Sequence, residues 1–238
     1  MLEDFSFLGT DMHAHWLPGM DDGAKTMEES IQMIREMERL GYTDLIATPH
    51  IMADYYQNTP TTIRDRLNDV KMECVKQGIT VRLSAAAEYL VDEGFERHLR
   101  DIGLLTLPGN DVLIEFGFFA APVNAESAIF KLLAAGYGVI LAHPERYPYY
   151  HRAPEKLKAI TDRGVKLQVN LMSLAGHYGN RVKQAALDLF KSGSVDLLGT
   201  DAHRPDDVDI LSSLLADRRA NRLMASSEYY NKYIKLNS

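Results

Sequence analysis

Short apolar runs alternate with segments of helical spacing along almost the whole of this chain of 238 residues. Alternation of this kind is typical of a parallel β-sheet covered by helices, because parallel strands need crossover connections. The predicted strands are residues 5–11, 44–50, 81–89, 111–116, 138–144, 166–170 and 196–203. The first predicted helix begins at Thr26, whose hydroxyl can cap free amides while Glu29 reaches back, and it ends at Gly41. The others lie near residues 60–77, 124–135, 154–163, 180–192 and 206–220, with a last, frayed helix in residues 226–238.

Composition and charge limit the classes of protein to be considered. With 46% hydrophobic residues the chain can bury a large core, and a single domain over residues 1–238 is predicted because α/β barrels commonly have this length. A net charge of −7 argues against binding to nucleic acid through a broad basic face. The N-terminus has no apolar stretch long enough for a signal peptide or a membrane span, so we expect a cytoplasmic protein without membrane insertion.

The one cysteine, Cys74, lies within a predicted helix and cannot form an internal disulfide. A catalytic thiolate needs an electropositive setting, and no Cys-x5-Arg pattern follows this residue. We therefore interpret Cys74 as a packing residue.

Acidic and histidine side chains follow six of the seven predicted strands, and the sixth strand ends at Asn170 without an obvious ligand. In a parallel barrel the carboxyl ends of all strands open on one face, where residues distant in sequence converge. This pattern favours a closed barrel over an open, doubly wound sheet. The nine candidate residues are His13, His15, Asp22, His50, Glu88, Glu115, His143, Asp201 and His203.

These residue types bind divalent metal ions, and their number predicts more than one ion. Residues i and i+2 of an extended segment point to the same side, so His13 and His15 can share an ion. A single His-x-His pair is weak evidence, and it is the combination that predicts a metal centre. Nine ligands suit three ions, with manganese, iron or zinc preferred over calcium because of the histidines. The other histidines, His98, His151 and His177, are interpreted as surface or packing residues.

The segments "DMHAHWLPGMDDGAKTMEES", "IATPH", "AAAEY", "LIEF", "LAHPERY" and "GTDAH" occur in an order and spacing that resembles the polymerase-and-histidinol-phosphatase superfamily. Within it they are similar to the bacterial tyrosine-protein phosphatases of capsular and exopolysaccharide biosynthesis. The resemblance covers residues 8 to 205 and implies a distorted seven-stranded β/α barrel with three divalent ions, commonly manganese. It implies one ion at His13, His15, Glu88 and Asp201, a second at Glu88, Glu115 and His143, and a third at Asp22, His50 and His203.

The resemblance also implies two arginines that bind phosphate, for which Arg146 and Arg204 are the candidates. The segment around Arg204 is shorter than the family pattern. Clustered divalent ions can activate a water and neutralise a phosphoryl group, so we expect phosphoester hydrolysis with a metal-bridging hydroxide as the nucleophile. The implied substrate is a phosphotyrosine protein, the tyrosine-rich tail of a polysaccharide-biosynthesis kinase.

Aromatic residues crowd the predicted loops and could stack on a phenyl phosphate, although each could equally pack the loop. They are Trp16, Tyr55, Tyr56, Tyr147, Tyr149 and Tyr150. The main alternative activity is that of a histidinol-phosphate phosphatase, which shares the ligand pattern. A nuclease role fits poorly with the acidic balance, and an amidohydrolase would have a modified lysine where Glu88 stands. A catalytically silent, metal-bound regulatory module is the alternative outside the enzymes.

Overall fold

The computed structural model describes residues 1–236 and has a mixed α/β fold built on two parallel sheets. The strand segments are β1 (Thr10–Ala14), β2 (Asp44–Ala47), β3 (His50–Ile51), β4 (Arg82–Ala85), β5 (Glu88–Leu90), β6 (Asp111–Glu115), β7 (Gly138–Ala142), β8 (Lys166–Asn170) and β9 (Leu197–Gly199). One sheet has the order β1-β2-β4, and the other has the order β3-β5-β6-β7-β8-β9. The prediction of a parallel α/β architecture is therefore confirmed.

The strand boundaries differ most from the sequence prediction at residues 5–11, 44–50, 81–89 and 196–203, the last of which forms only β9 over Leu197–Gly199. Residues 44–50 and residues 81–89 each form two short strands rather than one. Pro49 has no amide hydrogen for the ladder, so the chain breaks after β2 and its partner breaks beside it. The first strand begins at Thr10 rather than at residue 5, because residues 5–8 form a turn in which the amide of Leu8 donates to the carbonyl of Phe5.

The helices lie where the periodicity predicts them, with short additional helices in the connections. They are α1 (Met27–Arg39), α2 (Pro60–Lys76), α3 (Phe95–Arg97), α4 (Ala125–Ala134), α5 (Pro148–His151), α6 (Pro154–Thr161), α7 (Leu171–Ala175), α8 (Asn180–Lys191), α9 (Pro205–Ala216) and α10 (Arg218–Met224). The predicted cap of α1 is confirmed: the amide of Glu29 donates to the Thr26 hydroxyl, and the Glu29 carboxylate accepts from the amide of Lys25. None of the helices among the described residues is long and apolar enough to cross a membrane.

The predicted last helix is wrong in the part that is described. Residues Tyr230–Tyr233 form a single 3-10 turn, and residues 237–238 lie outside the described range. The buried Asn231 amide accepts from the amide of Leu198 and donates to the carbonyls of Leu198 and Thr10. This segment therefore packs against the strands instead of continuing as a solvent-facing helix.

The first and last strands approach each other at their carboxyl ends. Ala14 and Ala202 form an isolated parallel bridge, the amide of His15 donates to the carbonyl of Ala202, and the amide of Asp201 donates to the carbonyl of His13. The strand ends that carry the His-x-His and Asp-x-His pairs consequently lie side by side, although 187 residues separate them in sequence.

Candidate metal centre

Four buried side chains from the beginning, middle and end of the chain converge at these strand ends. Nε2 of His13 lies 3.2 Å from Oε2 of Glu88 and 3.4 Å from Oδ1 of Asp201. Nε2 of His15 lies 3.4 Å from each of the same oxygens and 3.3 Å from Nε2 of His13. We call His13, His15, Glu88 and Asp201 the buried group; each of them is at most 1% exposed.

The spacing within the buried group fits a metal ion. Ligand atoms placed tetrahedrally at the usual bond lengths to a zinc-like ion are about 3.3 Å apart, which is the separation observed here. The group contributes two imidazole nitrogens and two carboxylate oxygens, a donor set that suits manganese, iron or zinc. The residues present therefore fit a divalent cation.

A second set of ligand atoms shares Glu88. Nδ1 of His50 lies 3.1 Å from Oε2 of Glu88 and 2.9 Å from Oε1 of Glu115, and Nε2 of His143 lies 2.9 Å from Oε1 of Glu88. The buried atoms Nδ1 of His50, Oε2 of Glu88 and Oε1 of Glu115 have no hydrogen-bond partner despite these short separations. Unsatisfied polar atoms that point at a common centre are costly unless a ligand completes them.

The remaining two predicted ligands form a more open part of the site, which we call the rim pair: Asp22 and His203. Oδ1 of Asp22 lies 3.6 Å from Nε2 of His203 and 3.5 Å from Nε2 of His50. The side chain of Asp22 is 55% exposed and that of His203 is 20% exposed. His50 thus stands between the rim pair and the second set, with one ring nitrogen directed to each.

All nine predicted ligands are therefore close together, and the structure also reveals supporting residues that the sequence did not identify. Nδ1 of His13 lies 2.8 Å from Oε1 of Gln168, and Nδ1 of His15 lies 2.8 Å from Oδ2 of Asp21. Each bond leaves Nε2 free to face the buried group. Hydrogen-bond partners on the outer ring nitrogen fix the tautomer and orientation of metal-binding histidines.

The sixth predicted strand, which carries no ligand, contributes support through its buried amides. The amide of Asn170 donates to Oδ2 of Asp201 over 2.6 Å, and the amide of Gln168 donates to Oδ1 of Asn170 over 2.8 Å. Because one oxygen of Asp201 is held in this way, the other faces His13 and His15.

In the buried group, nearby histidines compensate the charges of two carboxylates that are shielded from water. Burial raises the pKa of Glu88, but His13 and His50 outweigh this effect and hold its pKa well below the usual range. The pKa of Asp201 is also well below its usual range, where burial opposes the effect of His13 and His15. Both carboxylates are thus ionised at neutral pH, as metal ligands must be.

Two of the predicted ligands have an unusual backbone conformation. His143 has a φ of +35° and Asp201 a φ of +52°, values that few residues other than glycine adopt. The strain at these two strand ends turns both side chains toward Glu88, His13 and His15. Strained residues persist where the surrounding structure requires them, and they cluster at functional sites.

The two arginine candidates have different surroundings. Nη1 of Arg146 donates to Oδ2 of Asp201 over 2.8 Å, and the guanidinium lies over the rings of Phe118, at 4.6 Å, and Tyr178, at 4.3 Å. Arg204 is exposed at the beginning of α9, with its backbone amide bonded to Asp207. The structure therefore brings Arg146, but not Arg204, into contact with a predicted ligand.

The aromatic residues fall into two groups. Trp16 and Tyr147 are completely buried in the core, so they pack the loops rather than face a substrate. The ring of Tyr56 stacks on that of His50 with the centroids 5.7 Å apart, which places it beside the ligands. Phe118, which the sequence analysis did not single out, stacks on His143 at 5.9 Å.

Comparison with known proteins relates this site to a family. Residues 9–209 match the family described as "Capsular polysaccharide synthesis, CpsB/CapC". The tyrosine-protein phosphatase YwqE of Bacillus subtilis is 34% identical over 196 residues, which cover 81% of this chain and 76% of that protein.

Solved structures give the same relationship. A chain from the crystal structures of YwqE from Bacillus subtilis and CpsB from Streptococcus pneumoniae, described as unique metal-dependent tyrosine phosphatases, superposes with a TM-score of 0.79 and 28% identity. The match covers 94% of this chain and 93% of that chain. The histidinol phosphate phosphatase of Lactococcus lactis, solved with zinc, has a TM-score of 0.51 and 14% identity, covering 89% of this chain and 92% of that chain. The latter likeness concerns the fold.

Proposed function

This chain belongs to the capsular polysaccharide synthesis family CpsB/CapC, and we propose that it acts as a metal-dependent tyrosine-protein phosphatase. The observation that carries the proposal is the convergence of unsatisfied imidazole and carboxylate atoms on Glu88. A site with this donor set and one arginine beside it suits the hydrolysis of a phosphate monoester.

The nine ligands divide among three divalent ions in this proposal. The buried group holds the first ion, and Glu88 is shared with a second ion at Glu115 and His143. Asp22, His50 and His203 hold the third ion. The short separation between Nδ1 of His50 and Oε1 of Glu115 also favours a place for His50 near the second ion. We propose manganese, with iron or zinc as alternatives, because a mixed histidine and carboxylate set accepts all three.

The ions supply an activated water and neutralise charge on the phosphoryl group. The chain's own residues orient the substrate. The planar guanidinium of Arg146 can donate hydrogen bonds to two phosphate oxygens while Nη1 also donates to Asp201. Burial lowers the pKa of Arg146, but the carboxylate of Asp201 and other nearby charges outweigh this effect and raise the pKa above its usual value, so the guanidinium stays charged. Arg204 stays a prediction for a second phosphate contact.

We propose that the two sheets form the walls of one distorted barrel. The supporting observations are the Ala14–Ala202 bridge and the two backbone hydrogen bonds that join the ends of β1 and the β9 connection. This arrangement accounts for the convergence of strand ends that are distant in sequence.

The substrate that we propose is a protein segment with phosphotyrosine, such as the tyrosine-rich tail of a polysaccharide-biosynthesis kinase. An apolar loop after β6 supports a protein substrate: Phe119 and Val123 are fully exposed, and Phe118 in the same loop contacts His143 and Arg146. Exposed apolar residues beside a site are typical of surfaces that bind a partner. A cytoplasmic location stays a prediction of the sequence.

The test is a metal analysis of the purified protein combined with a panel of three substrates. We expect manganese-loaded protein to hydrolyse a phosphotyrosine peptide with a much higher kcat/KM than a phosphoserine peptide or histidinol phosphate. A preference for histidinol phosphate would replace the proposal with the alternative activity. Metal-loaded protein that hydrolyses no aryl phosphate would indicate a binding module.

A further inference from the structure

The guanidinium of Arg146 is held by aromatic rings from two separate loops. Phe118 belongs to the loop after β6, and Tyr178 belongs to the connection between α7 and α8. The central carbon of the guanidinium lies 4.6 Å from one ring centroid and 4.3 Å from the other. Both distances are within the range of a favourable cation–π interaction.

The hydrogen bonding of Arg146 leaves most of its donors available. A guanidinium has five N–H donors, and within the described residues the structure gives this side chain one hydrogen bond, to Asp201. Rings that cover the face of a guanidinium leave the N–H groups at its edge free to bind an anion. The arginine is 22% exposed, so a phosphate group could reach it from the mouth of the site.

From this arrangement we propose that Phe118 and Tyr178 are positioning residues that hold Arg146 in the orientation that binds the phosphoryl group. This inference rests on the proposed phosphatase function. Without the rings, the flexible arginine could turn toward the anionic carboxylates of the buried group, and its placement would have to be regained for each turnover. Preorganised donors stabilise a transition state more than mobile ones do.

Two pairs of variants separate the ring from the other properties of each residue. Phe118→Leu and Tyr178→Leu remove the ring, whereas Phe118→Tyr and Tyr178→Phe keep it. We expect each leucine variant to lower kcat/KM on a phosphotyrosine peptide roughly 5- to 30-fold, mainly through kcat, which is the range expected for a cation–π contact. The ring-retaining variants should recover most of that loss.

Tyr178→Phe also tests the hydroxyl, whose oxygen lies 3.5 Å from Oδ2 of Asp201. A loss as large as that of Tyr178→Leu would assign the effect to the hydroxyl and overturn the proposal for this ring. Phe130→Leu is the matched control for Phe118→Leu, because Phe130 is 69% exposed on α4. Metal content and melting temperature are measured for every variant to exclude damage to the site or the fold.

Double variants test whether the rings act through Arg146. We expect Phe118→Leu to cause no further loss in an Arg146→Ala background, since the positioned group is already absent. A full, multiplicative loss in that background would show that the ring contacts the substrate directly and would overturn the positioning role.

A binding measurement keeps this test independent of the proposed activity. Titration calorimetry with inorganic phosphate and metal-loaded protein should give weaker binding for Phe118→Leu and Tyr178→Leu than for wild type. Unchanged phosphate affinity together with unchanged kcat would overturn the proposal. If wild type hydrolyses no aryl phosphate, the phosphatase function fails, while the calorimetry still reports on the position of Arg146.

Discussion

The buried group and the rim pair differ in how firmly the protein holds their side chains. In the buried group each histidine has a partner for its outer ring nitrogen, Gln168 for His13 and Asp21 for His15. In the rim pair, His203 bonds to the carbonyl of Asp201, while the Asp22 side chain is more than half exposed. The same residue types therefore form a rigid site at the centre and an adaptable one at the edge.

This difference indicates that the proposed ions differ in how tightly they bind. Fixed, dry ligands bind a cation tightly because they need little reorganisation, whereas an exposed carboxylate must give up its hydration and its mobility. We expect the ion at the buried group to stay bound through purification and the ion at the rim pair to exchange with solvent.

The largest effect should come from Glu88, because its two oxygens face both sets of buried ligands. Glu88→Gln keeps the shape but removes the charge that several histidines compensate. We expect loss of more than one ion per chain and a fall in kcat/KM on the order of 10³-fold, from the loss of several kcal/mol of charge stabilisation. Metal analysis measures the number of ions per chain, and phosphotyrosine hydrolysis measures kcat/KM. Full metal content in the variant would contradict the shared role of Glu88.

The next largest effect is expected for Asp21→Asn, which is to be compared with the same substitution at the neighbouring Asp22. Asp21 is buried, and its Oδ2 accepts from the amide of His50 as well as lying against Nδ1 of His15. In Asp21→Asn the new NH2 group must face either the amide of Gly23, which donates to Oδ1 in wild type, or His15 and the amide of His50, so the hydrogen bonds that orient His15 are disturbed. We expect a 10- to 100-fold loss in affinity for the tightly bound ion, as is typical for such partners.

Competition with a chelator measures that affinity, and circular dichroism shows whether the fold is intact. Affinity equal to that of wild type would mean that the buried group holds its ion without help from Asp21. The comparison between a rigid centre and an adaptable edge would then have no basis in these hydrogen bonds.

The convergence of the nine candidate side chains could be predicted from the sequence because it depends on periodicity and strand order. Alternation along an extended segment puts His13 and His15 on one side, and parallel strands bring Asp201 to the same end. The supporting amide of Gln168 could not be found in this way, because a lone polar residue in an apolar strand has no sequence signal for its partner. The contacts of Phe118 and Tyr178 depend on the paths of two loops, which local patterns do not determine.

The strand boundaries were predictable only in part for a similar reason. The split of residues 44–50 is visible in the sequence at Pro49, but the matching split of residues 81–89 follows from pairing with that broken strand. A local pattern reports the preference of one segment, whereas the register of a sheet depends on its neighbours.

A smaller effect is expected at the rim. Asp22→Asn removes one charge from an exposed ligand and leaves the hydrogen bonds of the buried group untouched. We expect about a 10-fold increase in the manganese concentration needed for half-maximal activity, with recovery of most of kcat at saturating metal, because the missing interaction is largely electrostatic and partly screened. The number of ions that remain bound per chain after dialysis should equal that of wild type. A smaller number would show that Asp22 helps to hold the tightly bound ion of the buried group.

The smallest effect concerns the loop after β6, where the fully exposed Phe119 follows Phe118, whose ring contacts Arg146. Phe119→Ser should lower kcat/KM about threefold on a phosphorylated protein or long peptide, since one peripheral apolar contact is worth less than about 1 kcal/mol. Hydrolysis of free phosphotyrosine should not change, because that substrate has no neighbouring residues to contact the exposed ring of Phe119. Steady-state kinetics on both substrates measure this effect. Equal losses on both substrates would place Phe119 at the phosphate site itself, and no loss on the protein substrate would exclude Phe119 from substrate recognition.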